Sequence, residues 1–364
     1  MRARLGSVEV DAAADYGVRN SQSEGIGRVT VVGDLVCWNN LGRNVVFADK
    51  RFRPLGIFGS TFFPGEDEPS QYDLDVHAIL DVPELGSVAV LNHYGTIRCF
   101  RKDDLLGRHR LRGAHQVEPT VLWSFAADVE RTVIASGRLV ASRPRSEGAE
   151  GLLVSAPLRS IGADACVPVQ PCAEDFGEVT ALGVIPSSDP PLIAIGGDGR
   201  LALAPLVGDV LAPTHWAVDV AFRVAFIALH RDAVWAAGPE RSVVVDDYDW
   251  ELLGGGRYAV LDRSNGALVV GGSLPEDVAW GTGGVAVAPF GPLLAAAGRT
   301  GCLHLIDPRR RHDRASTTPP LAESSLGIAH AAAMGKQVLL GFNRGGYRLH
   351  ALGQSTAGGK GRVE

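Results

Sequence analysis

The chain has 364 residues, 46% hydrophobic and 21% charged, with a formal net charge of -6. That is too apolar for a disordered chain, and no apolar run approaches the roughly 20 residues a membrane helix needs. The negative balance argues against bulk nucleic-acid binding, which depends on dense positive charge.

The opening segment, MRARLGSVEVDAAAD, has basic residues but no apolar h-region, so no secretory leader is expected. Of the five cysteines, Cys37, Cys99 and Cys302 sit inside apolar segments and read as small buried hydrophobes. Cys166 and Cys172 share the loop ACVPVQPCA, which is no CxxC, and no second pair supplies a zinc set. Free thiols, a reducing compartment and a cytoplasmic location are expected.

One pattern recurs along the chain. An apolar run is followed by a turn and then by Gly-x-h-x-h, where h is apolar. It occurs in DLVCWNNLGRNVVFAD, SVAVLNHYGTIRCF, PLIAIGGDGRLALAPL, PLLAAAGRTGCLHLID and QVLLGFNRGGYRLHAL. This is a β-hairpin, with Gly supplying the positive φ that the turn demands. The turn glycines Gly42, Gly95, Gly199, Gly301 and Gly345 are spaced by 53, 104, 102 and 44 residues. Each long gap is about twice a short one and should hide a further hairpin. RLVASRPRSEGAEGLLVSAP, with Gly151 at its turn, is the candidate in the first gap. AVWAAGPERSVVVDD and ELLGGGRYAVLD compete in the second.

Seven hairpins give about 52 residues per unit, enough for four strands. The additional strands are visible as VHAILDV, TVLWSFA, VTALGVI, VAFIAL, GVAVAP and GIAHAAAM before the hairpins and as stretches such as LLGRHRLR after them. A four-stranded sheet of this kind cannot cover both faces alone, and radial packing against two neighbours does so. The expected fold is all-β, a seven-bladed β-propeller of four-stranded antiparallel blades. It forms one domain over residues 1–352, followed by a disordered tail at 353–364. Ser7–Val10 is expected to close the last blade beside the strand around Tyr347 to Leu352.

These hairpins resemble WD40-like or YVTN-like repeat propellers. The resemblance covers roughly residues 24 to 352 and is carried best by VAVAPFGPLLAAAGRTGCLHLID, with Asp307 closing a third strand as Asp49 does in the first unit. The Trp-Asp dipeptide and the opening Gly-His pair of such repeats are absent. The resemblance therefore implies a fold and a protein-interaction platform, not a functional subfamily.

Three long connections stand out against short blade turns. The segment at 59–75 pairs Phe62 and Phe63 with Glu66, Asp67 and Glu68, and two adjacent aromatics suit a partner anchor. The segment at 159–177 carries Cys166 and Cys172. The segment at 308–326 carries Arg309, Arg310 and Arg311, which suit phosphate or an acidic partner. A second basic stretch runs from Arg98 to Arg112 without interleaved aromatics, so base stacking is not expected.

No GxSxG elbow, HExxH, Walker A loop or EF-hand loop occurs. His304 and His350, which alternate with apolar neighbours, read as packed or exposed side chains. Asp73, Asp75 and His77 share one face of an extended chain at one mouth of the channel. Acids recur before other segments read as inner strands, including Glu118, Glu178, Asp219 and Asp277. Two functions follow. The first is a non-enzymatic scaffold that binds a protein, with no cofactor, metal or membrane contact. The alternative is a propeller enzyme, such as a metal-dependent lactonase or a lyase, working at the acidic mouth.

Overall fold

The computed structural model describes residues 5–10, 26–40, 44–51, 53–59, 76–92, 94–108, 116–125, 129–143, 153–158, 165–167, 170–171, 176–185, 188–230, 232–240, 253–280, 287–290, 293–298, 301–307, 316–317, 329–334, 337–342 and 347–352. Among them seven sheets of four or five strands succeed one another along the chain. The first is built from Ile26–Val32, Leu35–Asn40, Asn44–Asp49 and Pro54–Gly59. The second runs through Val76–Val82, Ser87–Asn92, Thr96–Arg101 and Val121–Phe125. The third comprises Arg131–Ala135, Arg138–Ser142, Leu153–Pro157 and Gln170–Pro171. In the fourth, Val179–Ile185 lies beside the long strand Leu192–Val207, which also pairs with Trp216–Arg223 and with Val210–Leu211. The fifth has Phe226–His230, Ala233–Gly238, Arg257–Asp262 and Leu268–Ser273. The sixth has Val287–Phe290, Leu293–Ala297, Leu303–Ile306 and Ser316–Thr317. The seventh has Ala329–Met334, Gln337–Phe342 and Tyr347–Leu352, with Leu5–Val10 as its fourth member.

The middle strands are mostly apolar on both faces because both faces are covered. All six residues of Ser87–Asn92 are buried. Val88 and Val90 pack with Leu35, Phe47 and Leu55 of the first sheet, whereas Ala89 and Leu91 pack with Ile134, Leu139 and Ala156 of the third. The period of two along a strand divides its side chains between two interfaces. The same division recurs between the third and fourth, fourth and fifth, fifth and sixth, and sixth and seventh sheets. Met334 and Leu339 of the seventh then pack against Val36, Trp38 and Ile57 of the first. The innermost strands touch in the same cyclic order.

Gly95, Gly199 and Gly301 have φ of 76°, 74° and 75°, the left-handed geometry that their hairpins require. The Leu206 N–H donates to the Pro191 carbonyl at 2.8 Å, so Leu192–Val207 folds back on itself about Asp198 and Gly199. The Arg138–Ser142 strand pairs with Leu153–Pro157, the hairpin expected in the first long gap. Gly42, Gly151 and Gly345 lie outside the described residues.

Several elements differ from expectation. TVLWSFA is the fourth strand of the second sheet, and the innermost strand of the third is Arg131–Ala135 instead. The described part of LLGRHRLR, residues 105–108, is not a strand, and the remainder lies outside the described residues. The start of the segment belongs to the helix Lys102–Gly107, where Asp103 and Asp104 favour the first turn and Leu105 is buried against the first two sheets. Neither candidate hairpin of the second long gap forms as written. The first arm of one, Ala233–Gly238, pairs with the second arm of the other, Arg257–Asp262. The 159–177 connection contributes Ala165–Val167, a fifth strand parallel to Val121–Phe125, and Gln170–Pro171 in the third sheet. The tail at 353–364 lies outside the described residues.

Leu5–Val10 runs antiparallel to Tyr347–Leu352 over six residue pairs, from Leu5 opposite Leu352 to Val10 opposite Tyr347. Removing it uncovers a whole strand edge and its share of the ladder. Deletion of residues 1–12 is expected to lower the melting temperature by about 10 °C, read by circular dichroism. An unchanged melt would show that the seventh sheet does not depend on this strand.

Candidate functional site

The starts of the innermost strands converge on one mouth. Three of these strands share a register shift at their second residue: Gly27, His77 and Thr180. Such a bulge re-aims the local side chain. Thr180 is buried and donates its hydroxyl to the Val224 carbonyl, which leads into the fifth sheet. Its own carbonyl accepts the Arg131 Nε–H of the third sheet at 2.7 Å. Three adjacent sheets are thereby joined through one threonine.

Charge surrounds this joint. The two terminal guanidinium nitrogens of Arg223 pair with the two carboxylate oxygens of Glu178, one contact at 3.1 Å. Burial lowers the pKa of Arg131, with Glu130 opposing, and burial raises that of Glu130, with Arg131 opposing. Glu178 is thus engaged by a neighbouring arginine at the beginning of an innermost strand.

Of the other expected mouth residues, Glu118 and Asp219 fall elsewhere, and His77 stays at the mouth. Glu118 is exposed and precedes the fourth strand of the second sheet. Asp219 is exposed inside Trp216–Arg223, opposite Arg200, at the outer side of the fourth sheet. His77 is buried, 2% exposed, within its strand. Asp73 and Asp75 lie outside the described residues, as do Phe62, Phe63, Arg309, Arg310 and Arg311. The described residues therefore do not assemble a ring of acids.

Asp277 is engaged differently. It sits in the connector between the fifth and sixth sheets, which is tied down at several points. Leu253–Gly254 pairs with Ala279–Trp280, the Leu274 N–H donates to the Gly256 carbonyl, and the Trp280 indole donates to the Gly255 carbonyl. Val278 bridges Gly298 at the end of a strand of the sixth sheet. Asp277 Oδ1 then lies 2.7 Å from His304 Nε2, and Oδ2 accepts from Cys302 Sγ at 2.9 Å. The sulfur is 3.4 Å from the same histidine nitrogen. A Cβ on Gly298 would fall 2.2 Å from Asp277 Oδ2 and 2.3 Å from the Cys302 sulfur, so only glycine admits this approach. His304 is therefore no simple packed side chain. Its signal in the sequence is Cys-x-His at the start of a third strand, preceded by an acid in the connector.

Cys302 and His304 are buried and Asp277 is half-buried. Both contacts fall on Nε2, so the set is not a nucleophile relay, in which base and orienting acid use opposite ring nitrogens. Burial opposes a charged His304, but the hydrogen bonds with Asp277 and Cys302 outweigh it and hold the imidazole up at about 9. The hydrogen bond from His304 holds Asp277 below its ordinary value, against burial and with help from Cys302. Cys37 and Cys99 are buried as well; burial raises both thiols, that of Cys99 to about 12.

A raised histidine pKa stabilises the fold fully below the unfolded value of 6.5, and that stability is lost as pH rises through about 9. The depressed Asp277 contributes above 3.8 and is lost on acidification. In chelator-treated protein, His304→Gln is expected to cost about 1–2 kcal/mol near pH 6, with Asp277's exposure limiting the effect. Denaturant melts should show the cost shrinking towards about pH 10. A cost that does not vary with pH would refute the charged pair.

Among the described residues no helix is long and apolar enough to cross a membrane. No family model matches the chain, and no curated protein matches it. Solved structures do. The WD40 β-propeller domain of Doa1 superposes with a TM-score of 0.60 at 10% identity, covering 97% of this chain and 99% of that one. The Neurospora crassa Pan2 WD40 domain gives 0.59 at 10%, covering 92% and 90%. The β-propeller domain of Myceliophteria thermophila Cps50 (Swd1) gives 0.59 at 11%, covering 97% and 100%. At such identities the likeness is one of fold: the chain is an all-β propeller of the WD40-like kind.

Proposed function

We propose that the protein is a non-enzymatic scaffold, a seven-bladed ring that binds another protein through the face bearing its first-to-second and third-to-fourth strand turns. The observation that carries this reading is where large apolar side chains remain exposed. Leu85 lies in the first such turn of the second sheet. Val207 and Val210 flank the outer turn of the fourth, and Leu268 and Val269 follow the outer turn of the fifth. Among the described residues, Tyr94 alone of the exposed large hydrophobics lies in a turn of the opposite face. Exposed apolar groups gathered on one side favour a protein partner. Phe62, Phe63, Arg309, Arg310 and Arg311 remain part of the proposal as anchors on the long connections. The charged groups at the mouth support a scaffold rather than an enzyme, because Arg131 is used in joining the third sheet to the fourth and Glu178 is paired with Arg223 within the fourth. The same reading takes the protein to be cytoplasmic, which the thiols of Cys37 and Cys99, not joined in disulfides, support.

The test is capture from native lysate on immobilised full-length protein, compared with three sets of variants. These are Val207→Asp/Val210→Asp/Leu268→Asp/Val269→Asp, Phe62→Ala/Phe63→Ala, and charge reversal of Arg309, Arg310 and Arg311. The first set is expected to weaken the captured complex at least about tenfold, as loss of a buried apolar anchor does. Equal capture by wild type and all three sets would overturn the proposal.

A further inference from the structure

The Asp277, Cys302 and His304 side chains bring three different donor atoms together, all within 4.8 Å of one another. Two come from one strand start at positions i and i+2 and the third from a separately anchored connector. The hydrogen-bond arrangement is notable chemically. The thiol and the imidazole both direct a proton at the same carboxylate, and the sulfur and Nε2 lie in contact with each other at 3.4 Å. One divalent cation can replace both protons. It would meet a thiolate, a carboxylate and a neutral imidazole, and the charges sum to zero, which limits the cost of burial.

The geometry points to a zinc-class metal site formed by Cys302 Sγ, His304 Nε2 and an oxygen of Asp277, which we propose as a clamp between the fifth-to-sixth connector and the sixth sheet. A sulfur–nitrogen–oxygen set selects a borderline ion such as Zn²⁺ over Ca²⁺ or Mg²⁺, which require oxygen. With metal–ligand bonds of about 2.0–2.3 Å, the edges of a tetrahedral site run to about 3.3–3.6 Å. The sulfur–nitrogen separation already matches, and a small retreat of the half-exposed Asp277 opens the other two edges. The missing Cβ of Gly298 leaves the space beside Sγ and Oδ2 clear. A fourth position lies on the Asp277 side, where solvent has access. Binding releases the thiol proton and the Nε2 proton to solvent.

The test uses full-length protein stripped with chelator and titrated with Co²⁺, whose bond to thiolate gives a near-ultraviolet charge-transfer band. The expected result is one equivalent of Co²⁺ with that band. Zn²⁺ should displace it, Cys302→Ser should abolish it, and Cys166→Ser/Cys172→Ser should leave it in place. Absence of the band in wild type, or its persistence in Cys302→Ser, overturns the site. If circular dichroism shows Cys302→Ser to be unfolded, the near-isosteric Asp277→Asn and His304→Gln decide instead. Loss of the band and of the Zn²⁺-dependent rise in melting temperature in both supports the site, and retention of either in both overturns it.

Discussion

The architecture depends on sheets whose inner strands have no face to give to water. Val88 and Val90 look one way, Ala89 and Leu91 the other, and both sides are apolar. A sheet of that kind is stable only between two others, and a finite series of such sheets leaves no uncovered end only if it closes. The pairing of sheet faces runs from the first through the seventh and back. Close approach is arranged locally. A Cβ at Gly183 would meet Ile227 at 2.7 Å, one at Gly196 would meet Val224 at 2.5 Å, and one at Gly238 would lie 1.7 Å from the Arg223 carbonyl oxygen. The junction of the fourth and fifth sheets is thus set by what those residues lack.

The polar groups inside this frame serve joints. Arg131, Thr180 and the Val224 carbonyl stitch three sheets at one mouth, and the Glu178–Arg223 pair lies beside them. Asp277, Cys302 and His304 fasten the connector that leads into the sixth sheet. Asp49 and Asp262 do related work on the other face, accepting backbone N–H groups from the turn that follows each third strand. Carboxylates here mostly hold chain to chain, which a reader of isolated acids would take for a reactive mouth.

The hairpins were legible because a turn that needs positive φ leaves a glycine in the sequence, as at Gly95, Gly199 and Gly301. The rank of a strand within its sheet was not. TVLWSFA and VTALGVI are both short apolar runs, yet one is the fourth strand of its sheet and the other innermost. Periodicity reports burial, and in a stack of sheets both ranks are buried. Gln170–Pro171 and Ser316–Thr317 are too short to leave any pattern. The fifth unit was obscured because its turn is replaced by a long excursion between Gly238 and Arg257, although Leu261-Asp262 repeats the ending seen at Ala48-Asp49 and Ile306-Asp307. The cluster at His304 required knowing that a connector 27 residues upstream folds onto it.

The ladder between Leu5–Val10 and Tyr347–Leu352 has a temporal implication. During synthesis on a ribosome, the strand that emerges first has to wait for one made roughly 340 residues later. Six sheets can stack in the interval, but the growing arc keeps two greasy flanks, and a loop of that size is entropically slow to shut. The nascent chain is therefore most exposed to self-association just before its final strand arrives, and chaperone demand should peak there rather than at any earlier stage.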